Sequence, residues 1–361
     1  MEDNHKSFQM LELMESPAFC VKDGIILYAN RAALQRMVAV NTDITQLLAT
    51  GEEEYAAFTK GCLYLSVTIA GASCGASVTR MNGFDVFVLE QDADQKELQA
   101  MALAATELRV PLHNVMMVAD RLFPMVTATD GAAAQDQIAR INKGLFQMLR
   151  VISNMSDTAR YSKEPASNQE ICEVQKLMGE IFRKAAEQIS HADIQVRFDN
   201  LPSPIYTLVD KEKLERAVHN ILSNAVKFTP KGGVILARFF RRGRKLYLTV
   251  QDNGSGIAPE LRGSIYSRYL RQPGVEDGRF GIGLGLVLVR SVATLHGGTV
   301  LMEHPDDAGV RITMTMNIRQ DTAGALHSPI LRPDYLGGRD HCLAELSDVL
   351  PAELYKRENI N

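Results

Sequence analysis

Asn220 and Asn224 stand four apart in the stretch HNILSNAVKFTPKGG, His219–Gly233, and Lys227 follows one helical turn later. On a helix all three share a face. Amide oxygens suit a hard cation such as Mg²⁺ bridging phosphates, and the ammonium reaches the same phosphates as a point charge. A second stretch, DNGSGI, sets Asp252 before Gly254 and Gly256. A carboxylate there can accept from an exocyclic amine such as that of adenine, and the glycines let backbone approach a ligand closely. IYSRYLR brings Arg268 and Arg271 beside a loop, and GIGLGL sets Gly281, Gly283 and Gly285 at the start of a helix. Free N–H groups at a helix N-terminus make an anion site. Each stretch alone reads as a turn or a solvated face; together and in this order they are specific, combining donors for a hard cation, cations for phosphate and an acceptor for an amine.

These residues need an α/β layer to hold them. Helices are expected at Glu173–Gln188, Lys211–Phe228 and Leu284–His296. Strands are expected at Ile194–Phe198, Ile205–Val209, Val234–Arg241, Lys245–Asp252, Thr299–His304 and Val310–Ile318. Upstream, a heptad seam runs through Leu98, Met101, Ala105, Leu108, Leu112, Val115, Ala119, Leu122 and Val126. A second runs from Ile138 through Ile141, Leu145, Met148, Ile152 and Met155 to Ala159. A turn near Thr129–Gly131 would make them an antiparallel hairpin, and a second copy would close narrow stripes into a four-helix bundle. Pro111 and Pro124 interrupt the first helix and tend to kink it.

At the N-terminal end, strands are expected at Ala18–Lys22 and Ile25–Ala29, helical stretches at Arg31–Met37, Ile44–Leu48 and Glu52–Phe58, and strands at Cys62–Ile69, Ser73–Arg80 and Phe84–Glu90. Asn30 serves as a helix cap. The resulting partition is 1–91, 92–164, 165–318 and 319–361, the last unassigned apart from a short amphipathic helix expected at Ala344–Leu354.

The bulk numbers fit a globular chain of several domains. It has 361 residues, 46% of them hydrophobic and 23% charged, and its net charge of -4 argues against nucleic-acid binding. Five cysteines without CxxC spacing read as reduced, mostly buried thiols. No apolar run approaches the ~18 residues of a membrane span, so the expectation is a cytoplasmic protein.

The four stretches of the third segment resemble the asparagine box, first glycine box, F box and second glycine box of the histidine-kinase ATP-binding domain, a fold shared with the gyrase and mismatch-repair ATPases. His296-Gly297-Gly298 resembles that family's late glycine pair, and Ser267 departs from it where Glu is common. Residues 104–114, AATELRVPLHN, resemble the phosphoacceptor box of sensor histidine kinases, and DGIILYANRAA resembles the opening of a PAS sensor domain. The resemblance implies an α+β multidomain chain: a PAS-like α/β sensor domain, a two-helix hairpin dimerising into a four-helix bundle, and an α/β sandwich ATP-binding domain of the gyrase/histidine-kinase type. It implies ATP and Mg²⁺ as cofactors. Asn220 and Asn224 would handle metal and phosphate, Lys227 and Arg271 the phosphates, and Asp252 the adenine. Gly281, Gly283 and Gly285 would wrap the triphosphate.

The same register puts Thr106 where the family has its phosphoacceptor histidine, and Val110 where a Thr or Asn supports its phosphatase reaction. A threonine hydroxyl is a poor nucleophile without an activating base. Glu107, the acid/base candidate, remains. His113, one heptad along on nearly the same face, is the one displaced acceptor candidate. Three readings follow. One is an ATP-Mg-binding, histidine-kinase-like pseudokinase with impaired or absent autophosphorylation that signals to a response regulator or another histidine kinase. Another is an active kinase using His113 or Thr106. The last is a dimeric scaffold with structural ATP.

Overall fold

The computed structural model describes residues 11–81, 83–90, 92–161, 168–256, 284–305, 309–319 and 339–360. Strands β1 (Ala18–Lys22) and β2 (Ile25–Ala29) lead into α1 (Arg31–Gln35) and α2 (Glu52–Ala57). Strands β3 (Cys62–Ile69), β4 (Ala72–Met81) and β5 (Phe84–Leu89) follow. This is the expected order of the N-terminal segment, and the Asp23-Gly24 turn carries positive φ at both residues. Asn30 caps α1, its Oδ1 accepting from Ala33 N at 2.9 Å and from Ala18 N at 3.0 Å. Its amide donates to the carbonyls of Leu11, Met14 and Ser16, so one buried side chain ties strand, helix and entry segment together. Phe19 stacks on Phe87 with centroids 4.8 Å apart at the centre of this unit's core.

A helical run, α3, spans Asp92–Tyr161. It continues through Thr129–Gly131, where a turn was expected. Alanines at 128 and 132–134 favour helix, and Gly131 costs a helix only about 1 kcal/mol against alanine. The run is nevertheless not straight. A straight helix would carry Arg150 about 87 Å from Asp92. Instead Glu90, beside Asp92, is ion-paired with Arg290. Five residues before Arg290, a Cβ on Gly285 would lie 2.8 Å from Asn220 Oδ1, and that oxygen accepts from Arg150 Nη2 at 3.3 Å. Arg150 thus lies within a few side-chain lengths of Glu90, and α3 is sharply bent between them.

The burial pattern agrees. Ala105 and Ile152, Leu112 and Leu145, and Ala119 and Ile138 are buried and equidistant from residues 128 and 129. The alternate seam positions stay open: Leu108, Val115, Leu122, Ile141 and Met148 are each about half exposed.

Next come β6 (Glu170–Glu173), α4 (Val174–Ser190), β7 (Gln195–Asp199), β8 (Tyr206–Val209), α5 (Lys211–Phe228), β9 (Val234–Arg242) and β10 (Lys245–Gln251). After them come α6 (Leu284–Leu295), β11 (Val300–Glu303) and β12 (Arg311–Asn317). β6, absent from the sequence reading, pairs with β8 in a two-stranded sheet. Asp210 caps α5 by accepting from Lys213 N at 3.2 Å. The large sheet runs β2-β1-β5-β4-β3-β11-β12-β10-β9-β7. N-terminal and C-terminal strands therefore form one sheet, joined where β3 pairs antiparallel with β11, Tyr64 facing Val300 and Cys62 facing Met302. At this junction Arg290 stacks over the Tyr64 ring, 4.3 Å from its centroid, and Lys245 Nζ bonds both oxygens of Glu54.

The expected helix at Ala344–Leu354 lies elsewhere. Helix α7 is His341–Glu345, a 3₁₀ turn covers Ala352–Tyr355 and α8 is Arg357–Ile360. Asp340 caps α7 by accepting from Leu343 N at 3.0 Å, and Pro351 cannot continue a helix, so it instead precedes the 3₁₀ turn. This segment packs against α3, α4 and α5, with Leu343, Leu346 and Tyr355 fully buried.

Candidate functional site

Helix α5 presents the first set of predicted residues. Its capped start, and the buried row Leu214, Ala217, Val218, Ile221 and Leu222 on its inner face, fix its rotation. Asn220, Asn224 and Lys227 then lie on the side toward α6 and the C-terminal segment. Asn220 is 1% exposed; its Nδ2 donates to Arg216 O at 2.9 Å and its Oδ1 accepts from Arg150. Its oxygen is thus engaged by a guanidinium. Asn224 is half-buried. Lys227 Nζ lies 3.2 Å from Asp348 Oδ2, and burial, aided by the neighbouring Arg150 charge, pulls its ammonium below the usual lysine range.

Asp252 follows β10 and is 5% exposed. Its Oδ1 accepts from Gly254 N at 2.9 Å and Val310 N at 3.2 Å. Burial raises its carboxyl pKa, and these backbone donors oppose the rise. Gly254 is required: a Cβ there would stand 2.2 Å from Phe228 O, which brings the turn against the end of α5. Gly256 has φ +76°, which favours glycine. Gly285, in the first turn of α6, lies close against Asn220. The structure thus brings Asn220, Asn224, Lys227, Asp252, Gly254 and Gly285 along the second half of α5, the end of β10 and the start of α6. Arg268, Arg271, Gly281 and Gly283 lie outside the described residues.

The proposed ligands fit the donor set in kind. Amide oxygens are hard donors, and two of them leave Mg²⁺ to be completed by phosphate and water. Among the described residues there is no cluster of three or more His, Cys, Asp or Glu suited to a metal.

Thr106 and Glu107 are exposed on α3. His113 is half-buried, with Nδ1 3.1 Å from Arg109 O. A carbonyl can only accept, so this contact places a proton on Nδ1, and the tautomer it selects has its lone pair on Nε2.

Two further histidines are buried beside the site. His296 is buried: its Nδ1–H donates to Val292 O at 2.8 Å and its Nε2 accepts from Asp210 N at 3.1 Å, tying the end of α6 to the start of α5. His219 is fully buried, and neither ring nitrogen has a hydrogen-bond partner among the described residues. Burial lowers both pKa values. Below pH ~6.5 the unfolded chain then binds more protons than the folded one, so stability falls as pH drops. We expect the unfolding free energy from urea titrations to decline between pH 7 and pH 5, by up to ~1.4 kcal/mol per pH unit for each histidine. His219→Gln should flatten part of that slope.

Sequence reasoning missed Arg150, Arg216, Glu345 and Asp348. Arg216 is completely buried, and its Nε bonds Glu345 Oε1 at 2.9 Å, its Nη2 bonds Asn154 Oδ1 at 2.8 Å, and its Nη1 pairs with Asp157. Arg150 Nη1 bonds Asp348 Oδ2 at 2.5 Å. The available hint was Phe146 and Leu149, apolar but off the seam, which mark a second buried face on α3.

Residues 209–320 match the family Histidine kinase-, DNA gyrase B-, and HSP90-like ATPase. The chain is 28% identical over 240 residues to Histidine protein kinase DivJ of Caulobacter vibrioides, a match covering 63% of this chain and 40% of that protein. It is 25% identical over 240 residues to Sensor-like histidine kinase SenX3 of Mycobacterium tuberculosis, covering 64% of this chain and 58% of the relative. The chain thus spans less than two thirds of either relative. The crystal structure of full-length ShkA in complex with AMPPNP shares the fold over 62% of this chain and 47% of that one, with TM-score 0.50 and 22% identity. Among the described residues no helix is long and apolar enough to cross a membrane. Residues 209–320 therefore form an ATPase domain of the histidine kinase and gyrase type, in a chain whose relatives are histidine kinases.

Proposed function

We propose that this chain is a cytoplasmic, PAS-containing, dimeric signalling protein of histidine-kinase type that binds ATP-Mg²⁺ and does not autophosphorylate at the usual position. The observation that carries this reading is Thr106 at the acceptor position of a chain that keeps Asn220, Asn224, Lys227, Asp252 and Gly285 gathered at one site. Asp252 would accept from the adenine amine, Lys227 would hold phosphate, and Asn220 and Asn224 would bind Mg²⁺ once the Asn220 oxygen leaves Arg150. The output is then conformational, delivered to a response regulator or another histidine kinase. Incubation with γ-labelled ATP and Mg²⁺ at saturation should leave the protein unlabelled although it binds nucleotide; acid-labile label on the wild-type chain would refute the reading.

A second reading keeps the kinase active through His113. It is favoured by the hydrogen bond to Arg109 O, which leaves Nε2 as a nucleophile toward the γ-phosphorus with ADP departing. Acid-labile label lost in His113→Ala would establish it.

The open row Leu108, Val115, Leu122, Ile141 and Met148 supports the dimer, because a matching row from a second copy would cover it. Leu108→Glu with Val115→Glu is expected to convert a dimer to a monomer in light scattering at micromolar concentration. A wild-type chain already monomeric there would remove the dimer.

A further inference from the structure

Lys227, proposed to meet the triphosphate, already holds an anion together with Arg150, and that anion comes from the chain itself. Asp348 Oδ2 bonds Arg150 Nη1 at 2.5 Å and Lys227 Nζ at 3.2 Å. Both cationic side chains are mostly buried, 6% and 11% exposed, so the seat is built into the fold rather than assembled on the surface. The same guanidinium holds the Asn220 oxygen. Asp348 is fixed from behind: Ser347 O accepts from Gln147 Nε2 at 3.3 Å, Glu345 grips Arg216, and the Tyr355 ring packs on Phe146 with centroids 5.4 Å apart. Two cations converging on one carboxylate oxygen make a charge-assisted pair suited equally to a phosphate oxygen. Arg150 comes from α3, outside the ATPase domain, so the seat forms only while α3, α5 and the C-terminal segment are docked together.

We propose that Asp348 is an intramolecular stand-in for a nucleotide phosphate, so that residues 340–360 and the triphosphate of ATP compete for Arg150 and Lys227. The inference rests on the reading of this site as nucleotide-binding. Nucleotide entry then releases Asp348, frees the Asn220 oxygen for Mg²⁺ and loosens the segment from α3. Occupancy of the site is thereby reported on the outer face of the hairpin.

The test uses the full chain. Asp348→Asn keeps the shape and removes the charge, and a thermal melt checks that the fold is retained. Titration with a fluorescent ATP analogue and Mg²⁺ should show roughly tenfold tighter binding in Asp348→Asn than in wild type, since a competing closed state lowers apparent affinity by its population. Arg150→Ala in that background should lose most of the gain. In wild type, hydrogen exchange across 340–356 should rise when nucleotide saturates. Equal or weaker binding by Asp348→Asn, or exchange unchanged by nucleotide, overturns the competition while leaving the site intact. If neither folded chain binds the analogue, the nucleotide reading fails and the competition with it.

Discussion

Asp252→Ala is expected to abolish measurable nucleotide binding, with affinity down by roughly 100-fold or more, because a buried polar contact to a ligand amine is lost and the partner is left unpaired. The carboxylate has two jobs in the structure. Its Oδ1 organises the Gly254 and Val310 amides, and the second, proposed job is to accept from the adenine amine. Asp252→Asn separates them. The amide keeps an oxygen for the two backbone donors and offers an N–H where an adenine amine needs an acceptor. Both variants should fail to bind a fluorescent ATP analogue, whereas only the alanine variant should lose stability. Near-native affinity in Asp252→Asn would exclude adenine recognition by this residue.

Arg216→Leu is expected to destabilise the chain by about 3–5 kcal/mol, the range found when one partner of a buried ion pair is removed. Glu345 is 1% exposed and Asp157 7%; both lose the Arg216 guanidinium, and Glu345 keeps only the longer pair to Arg150 Nε at 3.6 Å. The loss should be read as a lowered urea midpoint together with early exchange of amides at 341–355, because Glu345 anchors that segment. Arg216→Leu with Glu345→Leu should recover much of the stability, since replacing both members of a buried pair by apolar groups is often neutral. Equal destabilisation in the single and double variants would mean that Arg216 acts through Asn154 and Asp157 alone.

What was legible in the sequence follows from where each structural choice is made. The strands and helices of the ATPase unit carry strong periodicity, and the residues of α5 share a face through helix geometry alone. Asn30 could be read because capping is local chemistry. The pairing of β3 with β11 could not be read. It joins edges far apart in the chain, and neither strand signals its partner, although Gly61 at the entry to β3 leaves no room for a Cβ, which would lie 2.1 Å from Met302 O. β6 is short, and its pairing with β8 rather than any pattern of its own defines it. The seat of Asp348 also escaped, because Arg150, Lys227 and Asp348 come from three elements, and the sequence, which marks Lys227 for phosphate, does not signal that the other two meet it. The hairpin was read from the two seams; the buried pairs Ala105 with Ile152 and Leu112 with Leu145 follow their spacing, whereas the helical run of α3 extends through Thr129–Gly131, where the turn was expected.

The central claim is that this chain retains a nucleotide site and lacks an acceptor at position 106. Thr106→His tests it most directly, incubated with γ-labelled ATP and Mg²⁺ at saturation beside the wild type. Acid-labile, alkali-stable label on the variant and none on the wild-type chain is the predicted result. A variant that binds nucleotide and stays unlabelled, or a wild-type chain that labels equally, would contradict it.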